Sequence, residues 1–413
     1  MRLRFLGGAR EVGRSSIVIE DRKKIMLDCG IKLDSKTEYP EQLAADLIIV
    51  SHAHLDHSGF SPFYYKFSSL PSIGTYPTLN LTQLLLKDFL KVQRRKHEKV
   101  PFKDREIRKF VRNFIVANYE EEFAFGDFSI KFHDAGHIPG SCMVELNKDG
   151  KKIFYTADFK LTPTYLHKGT NFYESDILII ESTYANREHP PRKEVEKRLK
   201  EEIEETISKG GNVLMPTFAV GRAQEMLFVL DSLGFSDIVY LDGMAKDATQ
   251  IILNSKKFIS DPEWLQRILQ RVNFVEERRD RREALKKPSI ILTTAGMLNG
   301  GPALDYITKL NLNSKIIFTG YQVEGTNGRE LLEKGVINLN GKKFKVPQKA
   351  IYLDFSAHAG RSELFKFVEK SKAEKIFVVH GDSKIAIDFK DELLMLGYDA
   401  VAPQNKESFE ISF

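Results

Sequence analysis

One short stretch of the sequence concentrates side chains that can bind metal: His52-Ala-His54-Leu-Asp56-His57. It holds three imidazoles and one carboxylate, which are nitrogen and oxygen ligands that Zn²⁺ accepts. His52 and His54 alternate, so their rings lie on one side of the chain, whereas Asp56 and His57 can turn toward a second ion. The composition and spacing predict a metal centre rather than a histidine-rich surface loop.

Three other polar residues, Asp28, His137 and Asp158, each lie just after a strand-like run. Taken singly, Asp28 and Asp158 are typical of turn or capping residues, and His137 of a loop histidine. A loop at a strand end lets side chains from distant parts of the chain converge.

Short strands separated by glycine-rich turns are predicted for the first part of the chain. Ile25–Asp28 and Leu47–Val50 are apolar runs that end at polar residues, which suits buried strands. The turn Asn147-Lys-Asp149-Gly150 lies between two strand-like runs and predicts a β-hairpin. Between the strands, Thr78–His97 and Arg105–Val116 are predicted as amphipathic helices.

After Ser182 the pattern changes to strands that alternate with helices. Lys193–Lys209 is predicted as a charged helix, the strand-like Val213–Met215 follows, and the alternation continues to Ile316–Phe318. This alternation predicts a parallel α/β sheet. From about Lys349 short strands return, so the sequence predicts one α/β domain that is interrupted by another.

Length and composition indicate a globular protein with more than one hydrophobic core. The chain has 413 residues, too many for a single core, and its 42% hydrophobic and 29% charged residues suit a water-soluble protein. No apolar run approaches the roughly 18 residues of a membrane span, and the first residues read as a strand rather than a signal segment. Cys29 and Cys142 are expected to be buried and reduced, so we expect a cytoplasmic protein with no membrane partner.

Positive charge is concentrated in two segments, although the net charge is only +5. Between Lys87 and Arg112 there are eleven lysines and arginines against four acidic residues. A second basic run, Arg278-Arg-Asp-Arg-Arg282, is followed by Lys286 and Lys287. Each segment is open to two interpretations, a solvated helix face or a surface that follows phosphates.

The histidine stretch resembles the His-x-His-x-Asp-His signature of the metallo-β-lactamase superfamily, and Asp28, His137 and Asp158 lie like its first, third and fourth motifs. The usual fifth motif does not follow. Three other stretches resemble motifs A, B and C of the β-CASP nucleases, which include the cleavage and polyadenylation specificity factor endonuclease and RNase J. They are Glu181-Ser-Thr-Tyr184, Phe355-Ser-Ala-His358-Ala359 and Val379-His380-Gly-Asp382. The chain is similar to a short, archaeal-type member of this branch.

The resemblance implies an α/β fold, an αββα metallo-β-lactamase sandwich with an inserted β-CASP domain on a parallel sheet. The sandwich would comprise residues 1–185 and 348–413, and the β-CASP domain residues 186–347. Two Zn²⁺ ions per chain are implied, with Asp158 as the bridge between them. One ion would bind His52, His54, His137 and Asp158, and the other Asp56, His57, Asp158 and His380.

The resemblance also gives roles to three residues that would bind no metal. Asp28 would hold the histidine loop, and Glu181 would hydrogen-bond His358, the general acid. A metal-bound hydroxide would attack the phosphodiester and leave 5′-phosphate and 3′-hydroxyl ends. Single-stranded RNA would be the substrate, bound in a cleft between the domains.

Several functions stay open at this stage. The chain could be an endonuclease of RNA 3′-end processing, maturation or decay, or a 5′-to-3′ exoribonuclease. A non-catalytic RNA-processing scaffold and a small-molecule hydrolase are further alternatives; the complete ligand set argues against the first and the inserted domain against the second. The sequence does not determine the RNA target, or whether the protein forms a homodimer or joins a larger RNA-processing complex.

Overall fold

The computed structural model describes residues 1–34, 36–339 and 341–411. The chain divides into two compact units. The first consists of Met1–Pro163, His167–Glu188 and His358–Phe413, and the second of Thr164–Leu166 and His189–Ala357. Both units mix helices and strands, which confirms the predicted α/β class. The predicted domain limits at residues 186 and 347 stay predictions.

The elements follow one another in three stretches. The first contains β1 (Arg2–Gly7), β2 (Ser16–Glu20), β3 (Lys24–Leu27), β4 (Lys32–Leu33), β5 (Thr37–Glu38), β6 (Leu47–Ile49), α1 (Leu55–Ser58), a 3-10 helix (Ser61–Lys66), β7 (Ser72–Gly74), α2 (Tyr76–Arg95), α3 (Asp104–Arg112), β8 (Phe114–Val116), β9 (Glu122–Phe125), β10 (Phe128–Asp134), β11 (Cys142–Lys148), β12 (Lys151–Tyr155) and β13 (Ile177–Glu181). The second contains α4 (Arg192–Ser208), β14 (Val213–Pro216), α5 (Arg222–Ser232), a 3-10 helix (Ser236–Ile238), β15 (Val239–Asp242), α6 (Ala245–Leu253), a 3-10 helix (Lys256–Phe258), α7 (Pro262–Arg271), β16 (Asn273–Phe274), α8 (Arg278–Lys286), β17 (Ile290–Thr293), α9 (Pro302–Ile307), β18 (Lys315–Phe318), α10 (Asn327–Lys334), β19 (Val336–Leu339), β20 (Lys342–Lys345) and β21 (Lys349–Tyr352). The third contains α11 (Arg361–Ser371), β22 (Lys375–Val379), α12 (Ser383–Met395), β23 (Ala400–Val401) and β24 (Ser408–Glu410).

Two seven-stranded sheets form the centre of the first unit. Their strand orders are β24-β1-β2-β3-β6-β7-β8 and β23-β22-β13-β12-β11-β10-β9. Side chains of both sheets, such as Phe5 of β1 and Phe132 of β10, are fully buried in one shared hydrophobic cluster. The two sheets therefore pack face to face.

Helices cover the outer faces of both sheets. Leu86 of α2 and Phe110 of α3 join buried side chains of the first sheet. Phe367 of α11 and Phe389 of α12 join those of the second. The layers of the first unit are therefore helix, sheet, sheet and helix.

Strand β13 has an apolar sequence because both of its faces are buried. Its residues, Ile177–Glu181, are buried along the whole strand. It lies between β12 and β22 and runs parallel to both. A strand covered on both faces reads as a continuous apolar run instead of an alternating one. Only its last residue, Glu181, is charged, and it lies at the carboxyl end where the chain leaves the sheet.

A six-stranded sheet of order β16-β15-β17-β14-β18-β21 forms the second unit. Every strand pair in it is parallel, which confirms the predicted parallel α/β sheet. Helices α8, α9 and α10 and the hairpin β19–β20 share one hydrophobic cluster with the sheet. Tyr306 of α9 is its largest fully buried side chain.

One predicted helix is shorter than expected. The helix predicted over Arg105–Val116 ends at Arg112, and Phe114–Val116 forms the edge strand β8 beside β7. The amphipathic period favours a helix locally, but β7 offers a row of unpaired backbone groups that β8 satisfies. The prediction was wrong at this end because its strand partner is far away in the sequence.

The basic segment Lys87–Arg112 spans the second half of α2, the following turn and α3. Most of its cations are exposed, and Arg94 is paired with Asp104. Its contribution to RNA binding stays a prediction. Among the described residues, no helix has the length and apolar character needed to cross a bilayer.

Candidate metal centre

The histidine loop lies in the first unit, directly after strand β6. The chain turns through His52 and His54 into the short helix α1, which carries Asp56 and His57. His52 and His57 are fully buried. Gly30 allows the loop after β3 to pack closely on α1, because a Cβ atom at Gly30 would lie 1.7 Å from the carbonyl oxygen of Asp56.

The carboxylate of Asp28 anchors this loop. It accepts hydrogen bonds from the backbone N–H of Ser51 at 2.7 Å and from the hydroxyls of Ser51 and Tyr155 at 2.8 Å. It also accepts one from Nδ1 of His57 at 2.7 Å. The Nδ1 proton of His57 is therefore held by Asp28, and its Nε2 faces the cluster, as a metal-binding imidazole requires.

Four side chains converge in a first group. Nδ1 of His54 lies 3.2 Å from Nε2 of His137. Oδ2 of Asp158 lies 3.6 Å from Nε2 of His52 and 3.8 Å from Nε2 of His137. Nitrogen ligands on a tetrahedral zinc ion, at bond lengths of about 2.0–2.1 Å, are about 3.3–3.4 Å apart. The spacing suits one ion among these four residues.

A second group forms around the other oxygen of Asp158. Oδ1 lies 3.4 Å from Nε2 of His57 and 3.5 Å from Nε2 of His380. Nε2 of His380 also lies 3.7 Å from Oδ2 of Asp56. Nδ1 of His380 is 2.8 Å from the hydroxyl of Ser15, which orients the ring. Asp158 thus divides its two oxygens between two groups, the geometry of a bridging carboxylate.

The buried atoms of this cluster fit a metal ion. Nε2 of His52, Nε2 of His57 and Oδ1 of Asp158 are buried and have no hydrogen-bond partner in the described part of the chain. Buried polar atoms without partners are costly, and native proteins satisfy almost all of them. Imidazole nitrogens and a carboxylate together are a donor set that suits zinc. A cation in the first group would satisfy Nε2 of His52, and a cation in the second would satisfy Nε2 of His57 and Oδ1 of Asp158.

The buried groups of the cluster shift one another's pKa values. Burial, aided by the neighbouring His57, lowers the pKa of His52 well below its usual value. Burial would also lower the pKa of His57, but the carboxylates of Asp158 and Asp28 raise it well above its usual value. Burial would raise the pKa of Asp158, whereas the rings of His380 and His57 hold it well below its usual range. Because metals bind neutral imidazole, a bound ion would displace the second proton of His57.

The backbone is strained at three of the turns that deliver these side chains. Asp28, Ala157 and His380 adopt left-handed φ angles of 58°, 47° and 47°. This conformation costs residues other than glycine roughly 1–2 kcal/mol. Each strained residue lies at or directly beside a side chain of the cluster, so strain is concentrated where strand ends turn into the site.

His358 and Glu181 form a hydrogen-bonded pair beside the first group. Oε2 of Glu181 accepts from Nδ1 of His358 at 3.1 Å, and its Oε1 accepts from the backbone N–H of Phe159 at 2.9 Å. Nδ1 of His358 lies 4.0 Å from Oδ2 of Asp158. The His358 side chain is 20% exposed, unlike the buried ligand rings. Burial would lower the pKa of His358, but the carboxylates of Glu181 and Asp158 raise it.

The geometry leaves two further groupings open. His52, Asp56 and His57 lie close enough together to hold an ion. Asp158, Glu181 and His358 also lie close enough together to hold an ion. The structure therefore brings all ten predicted site residues into one region of the first unit. Their separate roles, as ligands or as helpers of ligands, stay predictions.

Three family models match successive parts of the chain. A metallo-beta-lactamase superfamily domain matches residues 17–182, a Beta-Casp domain 223–331, and a Zn-dependent metallo-hydrolase RNA specificity domain 345–403. The protein named "Probable RNase MJ4" of Methanocaldococcus jannaschii is 39% identical to this chain over 428 residues, and the alignment covers 100% of each of the two chains. RNase aCSPSF2 of Saccharolobus solfataricus is 37% identical, over 99% of this chain and 85% of that one.

The chain belongs to the β-CASP branch of the metallo-β-lactamase superfamily. A further relative, transcription termination factor FttA of M. jannaschii, is 36% identical, over 96% of this chain and 69% of that one. A crystal structure of a protein of unknown function from Enterococcus faecalis has the same fold, with a TM-score of 0.64 at 14% identity over 99% of each chain. The predicted family and the predicted sandwich with its β-CASP insertion are confirmed.

Sequence reasoning missed a buried lysine in this β-CASP protein. Nζ of Lys160 donates to the backbone carbonyl of His358 at 2.9 Å and lies 3.4 Å from Oε2 of Glu363. The Glu363 carboxylate in turn accepts from the backbone N–H groups of Gly360 and Thr162. Lys160 thus connects the segment after Asp158 with the segment that carries His358. Its only sequence signal is its place two residues after Asp158.

Removing one carboxylate at a time should separate the two groups of ligands. Asp158 directs one oxygen to each group, whereas Asp56 lies 3.7 Å from Nε2 of His380 in the second, so Asp158→Asn should lose most of the bound metal and Asp56→Asn about half. Mass spectrometry of protein purified without chelator measures the metal, and circular dichroism confirms folding. Full metal content in folded Asp158→Asn protein would contradict the shared-carboxylate geometry, and complete loss in folded Asp56→Asn protein would contradict the division into two groups.

Proposed function

We propose that this chain is a zinc-dependent ribonuclease that hydrolyses phosphodiester bonds of single-stranded RNA and leaves 5′-phosphate and 3′-hydroxyl ends. The observation that carries the proposal is the position of Asp158, whose two oxygens each face a separate group of imidazole nitrogens. Relatives of similar length are named as RNases, and one matching family model describes an RNA specificity domain.

Seven residues are proposed as zinc ligands. One ion would be held by His52, His54, His137 and Asp158, and the other by Asp56, His57, Asp158 and His380. When bound, two zinc ions supply an activated water and positive charge for the phosphate oxygens. Asp28 positions His57 through the Nδ1 hydrogen bond, so it acts on a ligand rather than on the substrate.

His358 is proposed as the general acid. The Glu181 carboxylate binds Nδ1–H of His358, which aims the other ring nitrogen away from Glu181. A proton on that nitrogen can pass to the departing 3′-oxygen, since imidazole gains and loses protons near neutral pH. The partial exposure of the His358 side chain gives a substrate access to it.

The other functions considered have less support. A scaffold without activity would not need the ligand set, which is complete in the described chain. An exoribonuclease would use the same chemistry, so the site geometry does not separate it from an endonuclease. The cytoplasmic location, and assembly as a homodimer or in an RNA-processing complex, stay predictions.

Replacing the proposed acid should remove activity and leave the metal in place. We expect His358→Asn to lower kcat on RNA by roughly 10²-fold or more, because the leaving oxygen would lack its proton donor. The exposed His97→Asn is the matched control and should behave like the unmodified protein. Loss of zinc from the His358→Asn variant would instead make His358 a ligand, as its grouping with Asp158 and Glu181 allows.

Lys160 should act as a positioning residue for His358. Lys160→Met is expected to lower kcat about ten-fold, with KM and zinc content unchanged, because small displacements of catalytic groups are costly. Lys160→Arg keeps a donor and should restore part of the rate. If Lys160→Met alone fails to fold, Lys160→Met/Glu363→Gln removes the buried charge pair as a unit. An increase in KM with unchanged kcat would contradict positioning.

The ends of the products test the mechanism itself. Attack by an activated water leaves ligatable 5′-phosphates, whereas attack by the RNA 2′-hydroxyl leaves a 2′,3′-cyclic phosphate. We expect 5′-phosphate ends, slow cleavage of single-stranded DNA of the same sequence, and no activity after prolonged dialysis against a strong chelator. RNA labelled at each end separates the modes, since a 5′-to-3′ exonuclease releases the 5′ label as a mononucleotide. Cyclic phosphate ends would refute the proposed function.

A further inference from the structure

A groove in the second unit lies between helix α8 and helix α9. Its volume is about 500 Å³. Four cations line it, Arg278, Arg281, Arg282 and Lys309, against one carboxylate, Asp305. None of the metal-cluster residues belongs to this unit. The groove therefore concentrates positive charge in a unit that contains none of the residues that carry the proposed chemistry.

Helical spacing places the arginines on one side. Arg278, Arg281 and Arg282 are related as i, i+3 and i+4, so they share a face of α8. Arg279 falls outside this set and does not line the groove. The sequence alone left this basic run open as either a solvated helix face or a phosphate-binding surface. In the structure, Arg278, Arg281 and Arg282 line the groove, whereas Arg279 does not.

Arg281 is part of the floor of the groove. Its Nε donates to Oδ2 of Asp242 at 2.7 Å and its guanidinium to Oδ2 of Asp305 at 2.8 Å. The hydroxyl of the buried Tyr306 donates to the same Asp242 at 3.0 Å. These bonds hold Arg281 between Asp242 and Asp305, and Asp305 is the one carboxylate among the described residues that line the groove.

The other three cations face solvent. Arg278, Arg282 and Lys309 are exposed, and within the described residues none of them has an acidic partner at ion-pair distance. Three like charges around one recess repel one another unless an anion lies between them. Guanidinium groups bind phosphate oxygens through two parallel hydrogen bonds, which makes arginine well suited to phosphates.

We propose that the groove between α8 and α9 binds the phosphodiester backbone of the RNA that the enzyme cleaves. This inference rests on the proposed function and adds a second contact for the same substrate. The exposed cations of the groove supply affinity for single strands of any sequence, because phosphates carry no base information. The groove therefore affects the binding of long RNA and not the chemical step.

A triple variant tests the groove directly. R278Q/R282Q/K309Q leaves Arg281 and its structural bonds intact. The matched control K197Q/R198Q/K200Q removes three exposed cations from α4 of the same unit. Both triple variants also carry His358→Asn, so that the RNA is not cleaved during the measurement. The Kd for a fluorescent single-stranded RNA is measured by anisotropy at several salt concentrations. Circular dichroism and zinc content confirm that both variants are folded.

The groove variant should bind RNA at least ten-fold more weakly, with the slope of log K against log salt reduced by about 2, since each phosphate contact on a single strand contributes about 0.7. The control should stay within about two-fold of the parent. Equal losses in both variants would overturn the groove as a site, as would unchanged RNA binding. Loss of polyglutamate binding with RNA binding intact would assign the groove to an acidic protein instead.

A small substrate distinguishes failure of the groove from failure of the proposed function. With His358 present, the groove variant should hydrolyse bis(p-nitrophenyl) phosphate at the unmodified rate, because this molecule is too small to need a second contact. A lowered rate on it would overturn a purely binding role. If the unmodified protein does not cleave RNA but still binds it through the groove, the proposed function fails and the groove stands.

Discussion

The carboxylate of Asp158 is the constraint on which the rest of the first unit depends. It is buried, ionised and shared between two groups of imidazole nitrogens. A charge removed from water in this way is strongly unfavourable unless positive charge surrounds it. The fold meets this requirement by placing imidazole rings from separate parts of the chain around Asp158. Buried ring nitrogens of His52 and His57 that lack a hydrogen-bond partner would be satisfied by bound cations.

The sandwich supplies those rings because its strands end at one region. Asp28 follows β3, the histidine loop follows β6, Asp158 follows β12 and His380 follows β22. Each strand is fixed by hydrogen bonds and by the shared hydrophobic cluster, so each loop starts from a defined point. The remaining adjustment is made locally, by left-handed turns at three residues and by the contacts of Asp28. A rigid scaffold thus carries strained, polar loops, a division common at functional sites.

The second unit shows a different use of charge. In the cluster around Asp158, burial makes the charge of that carboxylate depend on its partners. In the groove between α8 and α9, Arg281 is paired while Arg278, Arg282 and Lys309 stay exposed to solvent. Buried charges suit a site where groups must be held at fixed distances, whereas exposed charges suit a flexible polyanion that is bound in many registers. The first unit therefore contains buried, paired charges, and the second contains a groove with exposed ones.

The sequence by itself predicted the family, the layered α/β fold and the ten candidate residues, because its motifs resemble those of one family in the same order along the chain. It could not show that the predicted helix ends at Arg112 and that Phe114–Val116 is a strand, because the partner strand β7 (Ser72–Gly74) lies far upstream in the sequence. Nor could it find Tyr155 or Lys160, which act through single hydrogen bonds to Asp28 and His358. Only the tertiary structure decided which oxygen of Asp158 faces which rings and which arginines of α8 line a groove. Spacing along the chain fixes residue types and periodicity, but distances between atoms from separate strands are set by how the sheets and helices pack.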